Sequence, residues 1–134
     1  KAKPYPASPS GMPGVQTLLP LMLDHVAQGR LTLERVVDLT AHGPARIFGL
    51  YPRKGTIAVG SDADFVLFDP QRKTVVDERQ LHSRAGYDPF HGFHLAGAPV
   101  MTVSRGEIVA RDGQILSRAG RGQLLERHRT LDRG

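Results

Sequence analysis

The apolar positions of the first 50 residues recur at helical spacing. Between residues 15 and 26 they fall three and four positions apart, which predicts an amphipathic helix with one wide buried face. Thr17 is placed to cap this helix, Pro20 lies in its first turn, and Gln28-Gly29 ends it. The apolar positions of the predicted face are Val15, Leu18, Leu19, Met22, Leu23 and Val26.

Two further helices are predicted before residue 50. Thr32 suits the N-cap of a helix over residues 33–41. Gly43-Pro44 is expected to break that helix and to start a short one, because proline fits a first helical position but not a helix interior. Ile47 and Phe48 are predicted to face inward on the short helix.

After Leu50 the periodicity changes to short runs rich in β-branched and aromatic residues, which predict strands. Asp112-Gly113 separates the last two runs and predicts a two-residue hairpin turn. Residues 78–97 are expected to be irregular because glycine and proline recur through them. The predicted strands cover residues 56–58, 65–68, 74–76, 100–104, 107–111 and 114–116.

The order of the elements predicts an α/β chain in which helices come first and strands follow. Such an order favours two separate layers or domains over an alternating sheet. We divide the chain into a helical part at 1–52, a strand part at 53–117 and a basic tail at 118–134. Residues 1–14 are rich in proline and glycine and are expected to form a loop leading into the first helix.

Composition narrows the possible classes of protein. With 134 residues, 40% of them hydrophobic, the chain can form one modest domain with a core. No apolar run approaches the roughly 20 residues of a membrane-spanning helix, so no membrane partner is expected. There is no cysteine, and no apolar signal region follows Lys1. These features are typical of a cytoplasmic protein.

The formal net charge is +5, and five arginines crowd the 17 residues of the tail. A basic surface raises the possibility of an independent domain that binds polyanions with a steep salt dependence. Aromatic residues do not alternate with the basic ones, and no nucleic-acid-binding module is recognisable, so nucleic acid is not expected as a partner. We interpret the tail as a solvated end or a subunit contact.

Metal-binding motifs were sought among the six histidines. Neither a His-x-His nor a His-Glu-x-x-His pattern occurs. His91 and His94, with Asp88 nearby, would point both rings at one ion if they lay on a helix. Pro89 and Gly92 disfavour a helix there, and no further ligand has suitable spacing. No metal site is therefore predicted within the chain.

Catalytic side chains are also not predicted. Ser83 follows His82 directly, and adjacent residues do not form a nucleophile and base pair with an orienting third group. Asp62 and Asp64 resemble paired carboxylates, but turn and strand-start roles explain both. The glycine-rich segment at 11–14 precedes a helix, and its backbone is a candidate for contacting a small ligand or an anion.

Five runs resemble the cyclic amidohydrolases, namely the hydantoinases and dihydropyrimidinases, the dihydroorotases and the allantoinases. They include Tyr87-Asp88-Pro89-Phe90-His91-Gly92 and Gly60-Ser61-Asp62-Ala63-Asp64, and they occur in the order and spacing of that family. Together they cover nearly the whole chain. The matching runs are residues 9–15, 43–55, 59–64, 87–92 and 104–109.

The resemblance implies a fold and a reaction. The family has a metal-dependent (β/α)8 barrel with its metal centre at the carboxyl ends of the strands. This chain would supply the last helices of the barrel and then strands of a small β-sandwich domain. Two zinc ions, held by residues upstream of Lys1, would assist hydrolysis of the ring amide C–N bond of a hydantoin, dihydropyrimidine or dihydroorotate.

The resemblance also implies which residues of this chain contact the substrate and which partners the chain has. Main-chain groups at Ser10 and Gly11 would hydrogen-bond the cyclic amide substrate, and the chain itself would contribute no catalytic residue and no metal ligand. Its partners would be that small molecule, the remainder of the same enzyme, and further copies in a homo-oligomer, either a dimer or a tetramer. The alternative is a metal-free, non-catalytic relative that acts as an assembly or scaffold protein.

Overall fold

The computed structural model of the protein describes Pro4, Ala7 and residues 11–127. Helices occupy the first part and a sheet the second. A π-helical turn, Asp38–His42, joins the second helix to the third. The helices are α1 (Leu18–Ala27), α2 (Leu33–Val37) and α3 (Gly43–Ile47).

Within the described part of the chain, four antiparallel strands form one sheet, each hydrogen-bonded to the next in chain order. They are β1 (Phe65–Val75), β2 (His94–Ser104), β3 (Glu107–Arg111) and β4 (Gln114–Ile115). A short 3₁₀ turn, Glu78–Gln80, lies in the connection between β1 and β2. The long β1–β2 pair therefore forms one side of the sheet with β1 at its edge, and the β3–β4 hairpin extends the other side of β2.

The core lies where α1 packs on β2. Leu23 is only 3% exposed. A Cβ built on Gly97 of β2 would lie 3.1 Å from the Leu23 Cβ, so the strand approaches the helix closely because position 97 lacks a side chain. One carboxylate oxygen of Asp24 accepts a hydrogen bond from the backbone N–H of Ala96 at 2.9 Å. The other oxygen accepts one from the side-chain amide of Gln28.

Two local predictions are confirmed. The side chain of Thr32 caps α2 by accepting a hydrogen bond from the backbone N–H of Arg35 at 3.2 Å. Asp112 and Gly113 both have positive φ angles, 47° and 80°, as the two central residues of a type I′ hairpin turn require. Both features depend on a few consecutive residues, which is why the sequence predicts them well.

Gly43-Pro44 starts a short helix, α3, as predicted, but the predicted break before it is wrong. The backbone N–H of Gly43 donates to the carbonyl oxygen of Asp38, an i→i+5 bond, and the chain stays helical to Ile47. Pro44 has no N–H to lose, and the wider π turn before it leaves room for its ring. The predicted capping role of Thr17 is also wrong, because its side chain makes no cap hydrogen bond.

The inward orientation predicted for Ile47 and Phe48 is wrong for this chain. Their exposed fractions are 80% and 57%, whereas Ala45, on another side of α3, is buried. The buried face of α1 is narrower than predicted, and Val15 is fully exposed while Leu23 is buried. Within residues 11–127, none of the helices is long and apolar enough to cross a membrane.

The strand predictions need three corrections. Residues 56–58 form bends instead of a strand, and Ile57 is exposed, because no described strand offers this segment an edge. The runs at 65–68 and 74–76 form one strand, β1, whose register shifts around Pro70. The segment predicted to be irregular ends early, because β2 already begins at His94 and Gly97 lies opposite that irregularity.

The first part of the basic tail lies against the sheet. The Arg121 guanidinium donates to the carbonyl oxygen of Ser104 at 2.8 Å and to the Glu107 carboxylate at 3.1 Å. The Arg105 guanidinium donates in return to the Arg121 carbonyl oxygen at 2.5 Å. The interpretation of the tail as a solvated end is therefore wrong at Arg121, because these contacts hold this residue beside the β2–β3 turn.

Candidate functional site

The lead-in to α1 holds the residues predicted to contact substrate. Ser10 lies outside the described residues. Gly11 is exposed and has a φ of 81°, and among the described residues no atom would lie within 4 Å of an added Cβ. The segment becomes anchored at Gly14, whose carbonyl oxygen accepts the backbone N–H of Leu18 at 2.9 Å. Main chain near Gly11 is therefore open to a ligand.

Just behind this segment, Thr17 meets a residue from far along the chain. Its Oγ1 lies 3.5 Å from Oδ2 of Asp88 and 3.2 Å from the carbonyl oxygen of Gly14. Thr17 is 3% exposed and Asp88 is 6% exposed. The other Asp88 oxygen, Oδ1, accepts the backbone N–H of Phe90 at 2.8 Å. The connection that precedes β2 thus reaches the base of the lead-in segment.

The loop that carries Asp88 is held by local contacts. Phe90 and Phe93 pack edge to face with ring centroids 5.6 Å apart. Nδ1 of His91 lies 3.3 Å from the backbone nitrogen of Glu78 and accepts its N–H. One ring nitrogen of His91 is therefore hydrogen-bonded within the connection between β1 and β2.

The remaining nucleophile candidates make structural contacts. The backbone N–H of His82 donates to the side-chain oxygen of Gln16 at 2.9 Å, which ties the β1–β2 connection to the lead-in segment. Oγ of Ser83 accepts the backbone N–H of Ala85 at 3.2 Å, a turn contact.

A cavity of about 610 Å³ lies between the start of α1 and the sheet. Gln16 and Thr17 line its helical side, and Arg72 and Asp112 line its far side. These last two residues form an ion pair at 2.6 Å between the irregular part of β1 and the hairpin turn. Gly11 is not among the lining residues, so the cavity is a different feature from the lead-in segment.

Asp62 and Asp64 form an ion cluster with Lys54. The Lys54 ammonium lies 2.8 Å from the Asp62 carboxylate and also contacts Asp64. Nε of Arg53 donates to Asp62 at 3.1 Å. The second oxygen of Asp64 accepts the backbone N–H of Arg105 at 2.7 Å. The cluster fastens the connection between α3 and β1 to the β2–β3 turn, which is a structural role.

The contacts of this cluster shift the pKa of each member. The Lys54 hydrogen bond, helped by Arg53, lowers the pKa of Asp62. Burial raises the pKa of Asp64, but its hydrogen bonds from Lys54 and from the Arg105 backbone lower the pKa more. Burial lowers the pKa of Lys54, and the two carboxylates outweigh that effect and raise it. All three groups are therefore held in their charged forms.

The sequence profile described as the amidohydrolase family matches residues 7–110. This match covers well over half of the 134 residues. The chain belongs to the amidohydrolase family, which confirms the resemblance seen in the five sequence runs.

The D-phenylhydantoinase of Escherichia coli (strain K12 / DH10B) is 47% identical to this chain over 120 residues. The matched region covers 89% of this chain and 26% of the relative. The same figures hold for the D-phenylhydantoinase of Escherichia coli O1:K1. This chain therefore spans about a quarter of the length of the curated relatives that it matches.

Solved hydantoinase structures superpose on the chain. A D-hydantoinase (dihydropyrimidinase) from Thermus sp. gives a TM-score of 0.86 at 42% identity, over 90% of this chain and 27% of that one. An L-hydantoinase (dihydropyrimidinase) from Arthrobacter aurescens gives a TM-score of 0.79 at 46% identity, over 82% of this chain and 25% of that one. These similarities confirm the predicted fold class. Because the relatives are named as enzymes, the scaffold alternative is not favoured.

The family implies a metal cofactor, so the described residues were tested as ligands. Within Pro4, Ala7 and residues 11–127, no group of three or more histidine, aspartate or glutamate side chains could hold a metal ion. His91 and His94 do not form such a group. The described residues therefore do not fit a metal centre.

Sequence reasoning missed the structural roles of two buried carboxylates, Asp24 and Asp88. Asp24 stands on the apolar helix face that was assigned to core residues alone, and Asp88 was weighed only as a metal ligand beside two histidines. The Asp-Pro-Phe sequence at 88–90 does indicate a turn in which the aspartate accepts an N–H two residues on. No local signal could connect Asp88 to Thr17, 71 positions earlier.

Proposed function

We propose that this chain is the carboxyl-terminal part of a cyclic amidohydrolase that hydrolyses the ring amide C–N bond of a hydantoin or dihydropyrimidine, with dihydroorotate as a further member of the substrate class. The 47% identity to a D-phenylhydantoinase over 89% of the chain is the observation that carries this proposal. The names of the structural relatives, hydantoinase and dihydropyrimidinase, support the same class of substrate.

We further propose that residues 10–14, here named the substrate loop, hydrogen-bond the cyclic amide through main-chain groups at Ser10 and Gly11. The exposed position of Gly11 and its irregular backbone support this role. A cyclic amide offers both an N–H and a carbonyl oxygen, which suit a backbone carbonyl and a backbone N–H respectively. The loop would orient the ring, and orientation is a large part of catalysis.

The chemistry of bond cleavage is assigned to residues upstream of Lys1. There we place two zinc ions, which supply an activated hydroxide when bound. The remainder of the same enzyme is therefore the partner of this chain, and the exposed apolar side chains of α3 are available to pack against it. We also propose that the enzyme is a cytoplasmic homo-oligomer, either a dimer or a tetramer. It has neither nucleic acid nor a membrane as a partner.

The test is to express the complete open reading frame that contains these 134 residues and to assay ring opening of phenylhydantoin, dihydrouracil and dihydroorotate. Hydantoin or dihydropyrimidine opening, lost on chelation and restored by zinc, is expected. A metal-loaded enzyme that opens none of the three rings would refute the proposal. Activity of the isolated 134 residues with bound zinc would refute the assignment of the metal centre upstream.

A further inference from the structure

We propose that Asp112 is a site of spontaneous isoaspartate formation and that Arg72 restrains the reaction. The sequence contains one Asp-Gly pair, Asp112-Gly113, and no asparagine. A glycine after the aspartate leaves the next backbone nitrogen unshielded, because no side chain stands beside it. This inference goes beyond the proposed function and does not depend on it, since the reaction needs only this turn and water.

The reaction joins the side chain of Asp112 to the backbone nitrogen of Gly113. The nitrogen attacks Cγ and an N–Cγ bond forms. One carboxyl oxygen leaves as water, with the proton of the nitrogen and a second proton from the carboxyl group or the solvent. Water then opens the resulting succinimide ring. Cleavage of the new N–Cγ bond restores aspartate, whereas cleavage of the original peptide C–N bond gives isoaspartate, so no oxidant or reductant is needed.

The turn at Asp112-Gly113 is open to this attack. The Asp112 side chain is 58% exposed. Among the described residues, no atom would lie within 4 Å of a Cβ added to Gly113, and the Gly113 N–H donates to no acceptor. Within this part of the chain, the attacking nitrogen is therefore neither covered nor engaged in a hydrogen bond.

The hairpin around this turn is short enough to open locally. β4 has two residues, Gln114–Ile115, and its ladder with β3 comprises two residue pairs. Asp112 has a φ of 47°, a conformation that residues with a side chain adopt rarely. Short elements with few hydrogen bonds lie at the low end of local stability. Opening of the turn lets Asp112 bring its carboxyl group to the Gly113 nitrogen.

Two contacts restrain Asp112. Nη1 of Arg72, in the irregular part of β1, donates to Oδ1 of Asp112 at 2.6 Å. The backbone N–H of Asp112 donates to the carbonyl oxygen of Val100 at 3.0 Å. The succinimide has no charged oxygen, so the ion pair with Arg72 must break before the ring can form. Because exposed ion pairs contribute little free energy, the effect of Arg72 on the rate is modest.

Isoaspartate changes the edge of the sheet at this hairpin. The side-chain methylene of residue 112 enters the backbone, which adds one atom to the path between the paired residues Arg111 and Gln114. A type I′ turn joins its strands through two residues of ordinary backbone length. The pairing of Arg111 with Gln114 is therefore lost in the modified chain.

The experiment incubates the complete protein that contains these residues at neutral pH and physiological temperature. Isoaspartate is measured over time by an isoaspartyl methyltransferase with labelled S-adenosylmethionine. Its position is found from the fragment ions of proteolytic peptides. Isoaspartate is expected to accumulate faster at Asp112 than at Asp62, which is followed by Ala63.

Four variants test the role of each group. Arg72→Ala is expected to raise the rate at Asp112 about threefold, and Arg72→Lys less than about twofold because lysine keeps the charge. Arg79→Ala is the matched control, since it removes another exposed ion pair, 2.8 Å from Asp77, and should leave the rate at Asp112 unchanged. Asp112→Glu keeps a carboxylate for Arg72 but should abolish the signal at this position, because its attack forms a six-membered ring much more slowly.

Two results would overturn the inference. Accumulation at Asp112 that is no faster than at Asp62, in both the unsubstituted protein and Arg72→Ala, would remove the site. Equal rates at Asp112 in folded Arg72→Ala and Arg79→Ala would remove the restraining role of Arg72. Circular dichroism checks the fold of each variant. None of these readouts uses ring opening, so failure here leaves the proposed function standing, and an inactive enzyme leaves this inference standing.

Discussion

The carboxylate of Asp24 in α1 accepts a hydrogen bond at 2.9 Å from the backbone N–H of Ala96 in β2, 72 positions later. This bond crosses from the helical part of the chain to the sheet. We expect Asp24→Ala to lower the free energy of unfolding by about 1–3 kcal/mol, because it leaves a partly buried N–H without a partner. Urea unfolding followed by circular dichroism measures the change.

The matched control for this prediction is Asp24→Asn. An asparagine oxygen can still accept the Ala96 N–H, although its amide cannot reproduce the contact with Gln28. The asparagine variant should therefore lose less stability than the alanine variant. Equal losses in both would show that the charge, and not the hydrogen bond to the strand, is what α1 requires.

The Lys54 cluster predicts the pH dependence of stability. Asp62 and Asp64 have lowered pKa values in the folded state. Their contribution to the free energy of unfolding is therefore present above the unfolded pKa of about 3.9 and is lost as the pH falls through the folded pKa. Lys54 has a raised pKa, so its contribution is present below about 10.4 and is lost as the pH rises through the folded value.

Thermal unfolding from pH 2 to pH 11 checks this prediction. Stability should be greatest between about pH 5 and pH 10 and should fall on both sides. Lys54→Met should flatten the acid side of the profile, whereas Lys54→Arg should keep it. An acid profile unchanged by Lys54→Met would mean that the carboxylates draw their lowered pKa values from elsewhere.

Gly55 is predicted to be intolerant of a side chain. Its φ is 82°, and an added Cβ would lie 2.5 Å from the Ala45 Cβ and 2.9 Å from the Ala41 carbonyl oxygen. Gly55→Ala should lower the free energy of unfolding by about 3 kcal/mol, combining left-handed strain of about 1–2 kcal/mol with overpacking of about 1–3 kcal/mol.

Gly60→Ala is the control for this substitution. Gly60 has a φ of 92° but open space around an added Cβ, so only the backbone strain applies. Its cost should be about 1–2 kcal/mol, measured in the same denaturant series. If both variants lost the same amount, the close approach at Gly55 would carry no energetic weight.

Exposed apolar side chains on α3 predict binding of a hydrophobic dye. Ile47 and Phe48 project from the described surface, and such groups together mark a contact face. The purified chain should enhance the fluorescence of a hydrophobic dye, and the double variant Ile47→Lys/Phe48→Lys should reduce it with little change in circular dichroism. Arg46→Ala is the control on the same helix. Equal dye binding by all three proteins would count against this face.

Local signals in the sequence predicted local structure well. The Thr32 cap and the Asp112-Gly113 turn depend on neighbours within three residues, and both are present. The family resemblance, carried by longer runs, also predicted the fold class. Ser10 and Gly11 as substrate contacts, and the division at residues 52 and 117, stay predictions.

Long-range contacts explain what the sequence did not predict. Gly97 was interpreted as a loop residue, yet it lies within β2 where Leu23 leaves room only for glycine. The break expected before α3 failed because a π turn accommodates Pro44. Asp24 and Asp88 each have one partner more than 70 positions away along the chain, beyond the reach of any pattern of neighbouring residues.

Asp64 reaches the β2–β3 turn through the peptide N–H of residue 105 and not through its side chain. Every amino acid except proline carries that donor. Evolution is consequently free to exchange the side chain at 105 with respect to this bond, whereas the acid at 64 is constrained. A change of side chain at 105 should therefore leave this bond in place, whereas a change at 64 should remove it.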